Sequence, residues 1–341
     1  MKCIRRISLS AIVLYSLLSA VSFLSAQAQK PAGANAPPTG SLPPTRLDEG
    51  ARLNPNKIAQ LKWYISPSST HFPVGSQPYG LCFDGANIWA ANNADSTVSK
   101  VRASDGAPLG TFPVPAGPFG VAFDGANVWV TSDGPNSVTK LRASDGKNLG
   151  TFPVGRSPSW MAFDGQNIWV TNGPDNTVTK LRTSDGKNLG TFTVGLSPIA
   201  AAFDGTNVWV TNYGDGTVTE LRASDGATLR TLSTGSGPLG IAFDGANMWV
   251  VNAGGNGTGT VSEIRVSDGT ILGTFPAPDG PYGVAFDGSY LWVSGALFVQ
   301  VIRASDGALV GQWKIPPTTG VAFDGAHIWI SNLNQNTVTK F

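Results

Sequence analysis

The chain has 341 residues, with 23 Lys and Arg against 22 Asp and Glu, and its net charge at neutral pH is +1. This balance excludes a strongly basic nucleic-acid-binding protein and gives no electrostatic reason to expect binding to an anionic membrane. Without Lys2, Arg5 and Arg6, 20 basic residues stand against 22 acidic ones. The length would accommodate two ordinary domains, but an internal repeat spans about residues 70–341 and indicates a single unit.

Residues 1–28 have the features of a secretory signal peptide. A basic start is followed by a mostly apolar stretch over residues 7–26, and Ala26-Gln27-Ala28 fits a small-residue cleavage site. Because the apolar stretch is longer than most signal cores, an uncleaved membrane anchor is the alternative. After cleavage we expect a secreted or periplasmic monomer that is not inserted in the membrane. Cys82 would then be the only cysteine, which excludes an intramolecular disulfide.

Residues 29–69 are predicted to be a linker rich in Pro and Gly, which cannot build a core of its own. Near its end, Asn54 and Pro55 form a typical helix start, so a short helix is predicted near residues 55–63. Ile58, Leu61 and Trp63 would be available to dock this helix on the main body.

A seven-fold repeat occupies the rest of the chain. Phe-Asp-Gly recurs at intervals of 40, 40, 40, 40, 43 and 37 residues, and a tryptophan follows five residues after each aspartate. A period in this range is typical of solenoids, propellers and repeat arrays. The aspartates are Asp84, Asp124, Asp164, Asp204, Asp244, Asp287 and Asp324, and the tryptophans are Trp89, Trp129, Trp169, Trp209, Trp249, Trp292 and Trp329.

Each repeat contains four short β-strands joined by tight turns, because Asp-Gly turn signals separate β-branched and aromatic segments. Apolar inner strands, with small residues such as Gly120 and Ala122, favour a propeller over a long sandwich. The repeat begins with a lone fourth strand at residues 70–75 and ends after a third strand at residues 337–341. Pairing these two segments would close the ring and remove two exposed sheet edges. We therefore predict an all-β, seven-bladed propeller with a three-plus-one closure.

The stretches Trp169 to Asn172 and Trp209 to Asn212 read Trp-Val-Thr-Asn, and with the Asp-Gly turns they resemble the YVTN family of bacterial propeller repeats. The repeat is also similar to the NHL-like repeats of virginiamycin B lyase. That resemblance implies a metal ion held by histidines and a glutamate near the axis. The only histidines here, His71 and His327, fall on the closing strand and after an Asp-Gly turn. The lyase site is therefore not carried over, and no cofactor or metal is expected.

Most recurring residues have a structural interpretation. The Asp-Gly pairs supply the positive-φ turns that two-residue hairpins need. Arginines recur just before the second turn of the repeat, and we expect each to pair with a turn carboxylate or a carbonyl group. The tryptophans are expected to pack between blades. The arginines are Arg102, Arg142, Arg182, Arg222, Arg265 and Arg303.

Positions that vary on a repeated frame are the candidates for specificity. They lie on the rim opposite the Asp-Gly turns, just before strand one of a repeat or in the loop between strands two and three. The candidate binding residues are Tyr79, Phe119, Trp160, Ile199, Tyr213, Leu239 and Tyr282. The alternative interpretation is that these side chains cap the axial channel and bind nothing.

Because the only two histidines are misplaced, no Ser/His/Asp or Cys/His arrangement can be assembled. No paired-carboxylate arrangement is recognised either, so no catalytic residue is assigned. The first hypothesis is an exported, non-enzymatic scaffold that binds a partner protein or small ligand through the variable rim. The alternative is a metal-dependent lyase or lactonase-like enzyme that uses axial loop carboxylates, with Asp133, Asp175, Asp215 and Asp279 as candidates. A third hypothesis is a cell-envelope repeat protein spaced from a membrane-held N-terminus.

Overall fold

The structure is a computed structural model that describes residues 69–254, 259–277 and 280–341. Within these ranges, 28 strands form seven separate four-stranded antiparallel sheets, with one short 3-10 helix at Gly173–Asp175. The predicted all-β, seven-bladed propeller is therefore confirmed. The predicted signal peptide and helix, and the linker up to residue 68, lie outside the described residues. Among the residues described, no helix has the length and apolar character needed to cross a membrane.

The strands of each blade follow the chain from the innermost strand to the outermost one. Blade 1 contains β2 (Pro78–Phe83), β3 (Asn87–Asn92), β4 (Thr97–Arg102) and β5 (Pro108–Pro113). Blade 2 contains β6 (Pro118–Phe123), β7 (Asn127–Ser132), β8 (Ser137–Arg142) and β9 (Asn148–Pro153). Blade 3 contains β10 (Pro158–Phe163), β11 (Asn167–Asn172), β12 (Thr177–Arg182) and β13 (Asn188–Thr193). Blade 4 contains β14 (Pro198–Phe203), β15 (Asn207–Asn212), β16 (Thr217–Arg222) and β17 (Thr228–Ser233).

The remaining three blades keep this order, except for the closure of the ring. Blade 5 contains β18 (Pro238–Phe243), β19 (Asn247–Asn252), β20 (Thr260–Arg265) and β21 (Ile271–Pro276). Blade 6 contains β22 (Pro281–Phe286), β23 (Tyr290–Gly295), β24 (Phe298–Arg303) and β25 (Leu309–Lys314). Blade 7 contains β26 (Thr318–Phe323), β27 (Ile328–Asn332), β28 (Thr337–Lys340) and β1 (Thr70–Pro73).

The closing pair joins the two ends of the repeat. Strand β1 runs antiparallel to β28, with Thr70 opposite Lys340 and Pro73 opposite Thr337. The predicted three-plus-one arrangement is consistent with this pairing, and the closure leaves no blade with an unfilled fourth position.

The hydrophobic core is divided among the junctions between blades. Trp89 of blade 1, for example, packs with Val121, Val128 and Leu141 of blade 2. Six of the seven repeated tryptophans are completely buried, and Trp292 is 8% exposed. The predicted inter-blade role of the tryptophans is therefore confirmed, and burial of such large side chains is the main favourable contribution at each junction.

The Phe-Asp-Gly turns do more than the sequence predicts. Gly85 has a φ of 95°, which confirms the positive-φ turn, and Asp84 accepts hydrogen bonds from the backbone amides of Ala86 and Asn87. In addition, the indole N–H of Trp89 donates to Asp84 over 2.7 Å. The same aspartate–indole hydrogen bond occurs in all seven blades, at 2.7–2.8 Å. The fixed spacing of five residues between Asp and Trp is the sequence signal of this bond.

The predicted arginine pairs are also confirmed. Six arginines at the ends of third strands each form a salt bridge with the aspartate of the next Ser-Asp-Gly turn, as Arg102 does with Asp105 at 2.9 Å. Both partners are about half exposed, so solvent screens their attraction and each pair adds little to stability. We call the rim that carries both sets of Asp-Gly turns the Asp-Gly rim.

Candidate functional site

The variable rim is the opposite end of the propeller, formed by the loops between strands two and three and between the fourth strand of one blade and the first of the next. All seven candidate residues meet in one apolar cluster at this end of the axis. Tyr79, Phe119, Ile199, Leu239 and Tyr282 are only 3–7% exposed, while Trp160 and Tyr213 are half-buried and pack against them. We call these seven residues the axial cluster.

The placement of the cluster on the strands differs slightly from the prediction. Tyr79 and its equivalents are the second residues of the innermost strands, as in Pro78–Phe83, rather than the residues just before them. The sequence pattern missed this because each innermost strand begins with a proline or threonine, which does not resemble a strand start. The side chains are therefore held by strand backbone, and their positions are set by the rigid scaffold.

The innermost strands approach one another most closely at their third residue. A Cβ on Gly80 would lie 2.4 Å from the carbonyl oxygen of Phe119 in the next blade, and a Cβ on Gly320 would lie 2.3 Å from that of Tyr79. Contacts this short are not possible, so five blades have glycine at this position. Only blades 3 and 4 depart from the rule, with Trp160 and Ala200.

Trp160 reaches across the axis. Its ring lies 5.1 Å from that of Phe119 in blade 2 and 6.3 Å from that of Tyr282 in blade 6. It also borders Gly80 of blade 1, because a Cβ there would lie 3.0 Å from the indole Cζ3. A residue of blade 3 therefore contacts three other blades and fills the centre of the ring.

The axial cluster has an aromatic side and an aliphatic side. Tyr79 and Phe119 stack with their ring centroids 4.7 Å apart, and Tyr282 lies on the same side of the ring. Burial raises the pKa of Tyr79, and the nearby Asp133 carboxylate raises it further. Burial also raises the pKa of Tyr282 well above its ordinary value, and its buried hydroxyl finds no hydrogen-bond partner among the described residues. Both phenols are therefore neutral at physiological pH.

Hydroxyl groups fasten the innermost strands around the cluster. Thr131 of blade 2 donates to the carbonyl of Ser159 in blade 3 over 2.7 Å, and equivalent inter-blade bonds of 2.7–2.9 Å come from four other second strands. Blades 1 and 5 have Ala91 and Val251 at this position and cannot form the bond. The donors in the four other strands are Thr171, Thr211, Ser294 and Ser331.

The loops of blades 3 and 4 add exposed side chains beside the axial cluster. Leu196 is 52% exposed, and its carbonyl accepts the backbone N–H of Gly214, which follows Tyr213. Arg156 occupies the equivalent loop position one blade earlier and is bound to Asp175. We call Arg156, Trp160, Leu196 and Tyr213 the rim patch. Sequence comparison of the repeats could have found Arg156 and Leu196, since blades 1, 2 and 5 have Ser or Ala there.

The aspartates considered for metal binding hold loops together. The backbone amide of Arg156, followed by its guanidinium group, lowers the pKa of Asp175, and Asp215 accepts the amide of Leu196 over 2.6 Å. Asp133 lies near Tyr79, and Asp279 lies outside the described residues. Among the residues described, no three or more His, Cys, Asp or Glu side chains are placed to hold a metal ion.

The two histidines and the cysteine have local partners. His71 bonds to the Thr339 hydroxyl over 2.8 Å within blade 7, and His327 lies 3.4 Å from the carboxylate of Asp324 in its own turn. The Cys82 thiol is partly buried at the junction of blades 1 and 2, where burial raises its pKa. None of the three belongs to the axial cluster.

The chain is similar in structure to many solved proteins, including the following two. The first is the Kuenenia stuttgartiensis hydrazine synthase, with a TM-score of 0.71 and 19% identity, over 81% of this chain and 98% of that one. The second is a streptogramin B lyase, with a TM-score of 0.67 and 20% identity, over 80% of this chain and 96% of that one. Identities this low show the fold alone. No protein-family model and no curated protein matches the sequence, so membership of the YVTN family stays a prediction.

Proposed function

We propose that this protein is an exported, non-catalytic scaffold that binds a partner protein through the variable rim. The observation that carries the proposal is the half-buried Trp160, which stands where five other blades have glycine. The scaffold does not require a large side chain at this position. A tryptophan that fills the axis and still reaches solvent at the rim is better accounted for by recognition.

A protein partner suits this surface better than a small ligand. The side chains of the axial cluster fill the centre of the ring with each other, so a ligand entering the channel would have to displace Trp160. The rim patch instead offers an exposed leucine, two half-buried aromatic rings and an arginine, all from blades 3 and 4 at the variable rim. Trp, Tyr and Arg are the residues most often found at the energetic centres of protein interfaces.

The remaining parts of the proposal come from the sequence. The signal peptide would direct the protein to the periplasm or outside the cell. The near-zero net charge of the whole chain favours a protein partner over nucleic acid. The lyase or lactonase hypothesis has less support, because Asp175 and Asp215 are engaged in loop hydrogen bonds away from any histidine. The two structural neighbours are enzymes by name, but they share only the fold with this chain.

The test compares a change on the variable rim with a change on an outer strand away from it. Partners are captured from an envelope extract on wild-type protein, on the double variant Trp160→Gly with Leu196→Ser, and on Leu149→Ser, which alters a side chain 39% exposed on the outer strand β9. We expect the rim variant alone to lose the specific partner, and its affinity for the purified partner to fall about 30-fold or more. Equal binding by both variants would contradict the proposal. A thermal shift with divalent metal that EDTA reverses would favour the enzyme hypothesis instead.

A further inference from the structure

The Asp-Gly rim has a gap at one junction. In blades 1 to 6, the Ser-Asp-Gly turn between strands three and four lies directly on a side chain of the preceding blade, which is a phenylalanine ring in five cases and Arg230 with Leu232 in blade 5. A Cβ on Gly106 would lie 2.0 Å from the ring of Phe72, and a Cβ on Gly307 would lie 1.8 Å from that of Phe275. Blade 7 has no such turn, because its third and fourth strands, β28 and β1, come from opposite ends of the repeat. Trp313 of blade 6 is the side chain that this missing turn would cover.

The sequence of blade 6 is more apolar around this gap than that of any other blade. Tyr290 replaces the asparagine found in blades 1 to 5, and Val301 replaces the Lys or Glu of all other third strands. Trp313 stands where most blades have phenylalanine, and it lies 5.6 Å from Trp292 with its ring nearly parallel. Phe341 packs against both tryptophans from blade 7.

Exposure of apolar side chains is also highest here. Trp292 is 8% exposed, whereas its six equivalents are fully buried. Leu309, the first residue of β25, is 54% exposed, the largest value among the exposed large hydrophobic residues described. An exposed apolar surface of this kind indicates that another segment or molecule covers it.

We propose that residues 54–65 of this chain cover the gap between blades 6 and 7, with Trp63 and Ile65 packed on Trp313 and Leu309. The described chain begins at Ser69, and strand β1 begins with Thr70 opposite Lys340, so the preceding residues leave the ring at the Asp-Gly rim beside the gap. Trp63 lies six positions before Ser69, a distance along the chain that can span up to about 20 Å.

Residues 54–65 also have the composition that the gap requires. Ile58, Leu61, Trp63 and Ile65 supply apolar side chains, while residues 29–50 are mostly Pro, Gly, Ala and polar. The segment would therefore act as an intramolecular substitute for the seventh turn, on the rim opposite the proposed partner-binding surface.

The experiment uses the full chain and follows thermal unfolding together with amide hydrogen exchange. Trp63→Ser is expected to lower Tm by about 3 °C and to speed exchange about tenfold in β24 and β25, with no change in β8 and β9 of blade 2. Leu42→Ser, in the Pro-rich segment, is the matched control and is expected to change neither quantity. Wild-type Tm and exchange in Trp63→Ser would overturn the proposal.

Double variants locate the contact. If the segment lies on Leu309, the Tm losses of Trp63→Ser and Leu309→Ser are less than additive, whereas those of Trp63→Ser and Leu149→Ser add. Additive losses in both pairs would overturn the assigned position. Concentration-dependent protection of Leu309 from exchange, independent of Trp63, would show that a second copy covers the gap and would also overturn the proposal.

Discussion

Two neighbouring junctions, between blades 4 and 5 and between blades 5 and 6, lack the same lysine, but an arginine replaces it in the first junction and glycine stands at that arginine's position in the second. In blades 1, 2, 3 and 7, a third-strand lysine places its ammonium group 4.9–5.4 Å from the ring of the blade's tryptophan. Each of these lysines also donates to a backbone carbonyl of the next blade over 2.6–2.8 Å. Blades 4 and 5 have Glu220 and Glu263 at this position. The four lysines are Lys100, Lys140, Lys180 and Lys340.

At the junction between blades 4 and 5, a cation from another strand replaces the missing lysine. Arg230, on the outermost strand of blade 4, forms a salt bridge with Glu220 and lies 5.4 Å from the ring of Trp209. Its guanidinium group donates to the carbonyl of Val266 in blade 5 over 2.6 Å. Blade 5 has Gly273 where blade 4 has Arg230, so Glu263 has no such partner and accepts a bond from Asn247. A junction therefore needs its apolar packing, while the cation over the tryptophan is an addition.

The largest effect on the free energy of unfolding is expected from removing the guanidinium group of Arg230. Arg230→Met keeps much of the side-chain volume but leaves Glu220, whose side chain is 2% exposed, without its positive partner. Breaking a buried pair in this way costs about 3–5 kcal/mol, which urea unfolding would measure.

The control for this prediction removes both charges. Glu220→Gln combined with Arg230→Met leaves no buried unpaired charge, so most of the lost stability is expected to return. An Arg230→Met variant as stable as the wild type would show that the pair contributes nothing, and the comparison of the two junctions would lose its basis.

Much of this molecule could be predicted from its sequence because the repeat states each rule seven times. The blade count, the strand closure and the role of residues such as Trp89 and Arg102 all follow from period and position. The salt bridge between Glu220 and Arg230 could not be predicted, because it joins two different strands and occurs in only one blade. Likewise, the seven axial residues could be named as a group, but that Trp160 crosses the axis depends on side-chain direction, which the pattern does not contain.

A pH-dependent effect is expected at Glu263. Burial and then the nearby Asp244 carboxylate raise the pKa of Glu263 above its ordinary value. The folded state thus binds the proton more tightly than the unfolded state, so the glutamate destabilises the fold once the pH rises above its unfolded pKa of about 4.3. Glu263→Gln should therefore raise Tm by about 2 °C at pH 7 and have no effect below about pH 4. Thermal unfolding at both pH values checks this, and an equal gain at both would rule out the proton as its cause.

The smallest effect concerns the inter-blade hydroxyl that blade 5 lacks. Val251 stands where Thr171 donates to the carbonyl of Ile199, and the equivalent acceptor for blade 5 is the carbonyl of Tyr282. Val251→Thr would add this hydrogen bond at a fully buried site, and we expect a gain of about 0.5 kcal/mol, or about 1 °C in Tm. Thr171→Val is the reverse change and should lose a similar or larger amount. If both Val251→Thr and Thr171→Val lower the stability, the predicted gain is wrong. The two junctions would then differ in the spacing of their backbones as well as in the presence of the hydroxyl group.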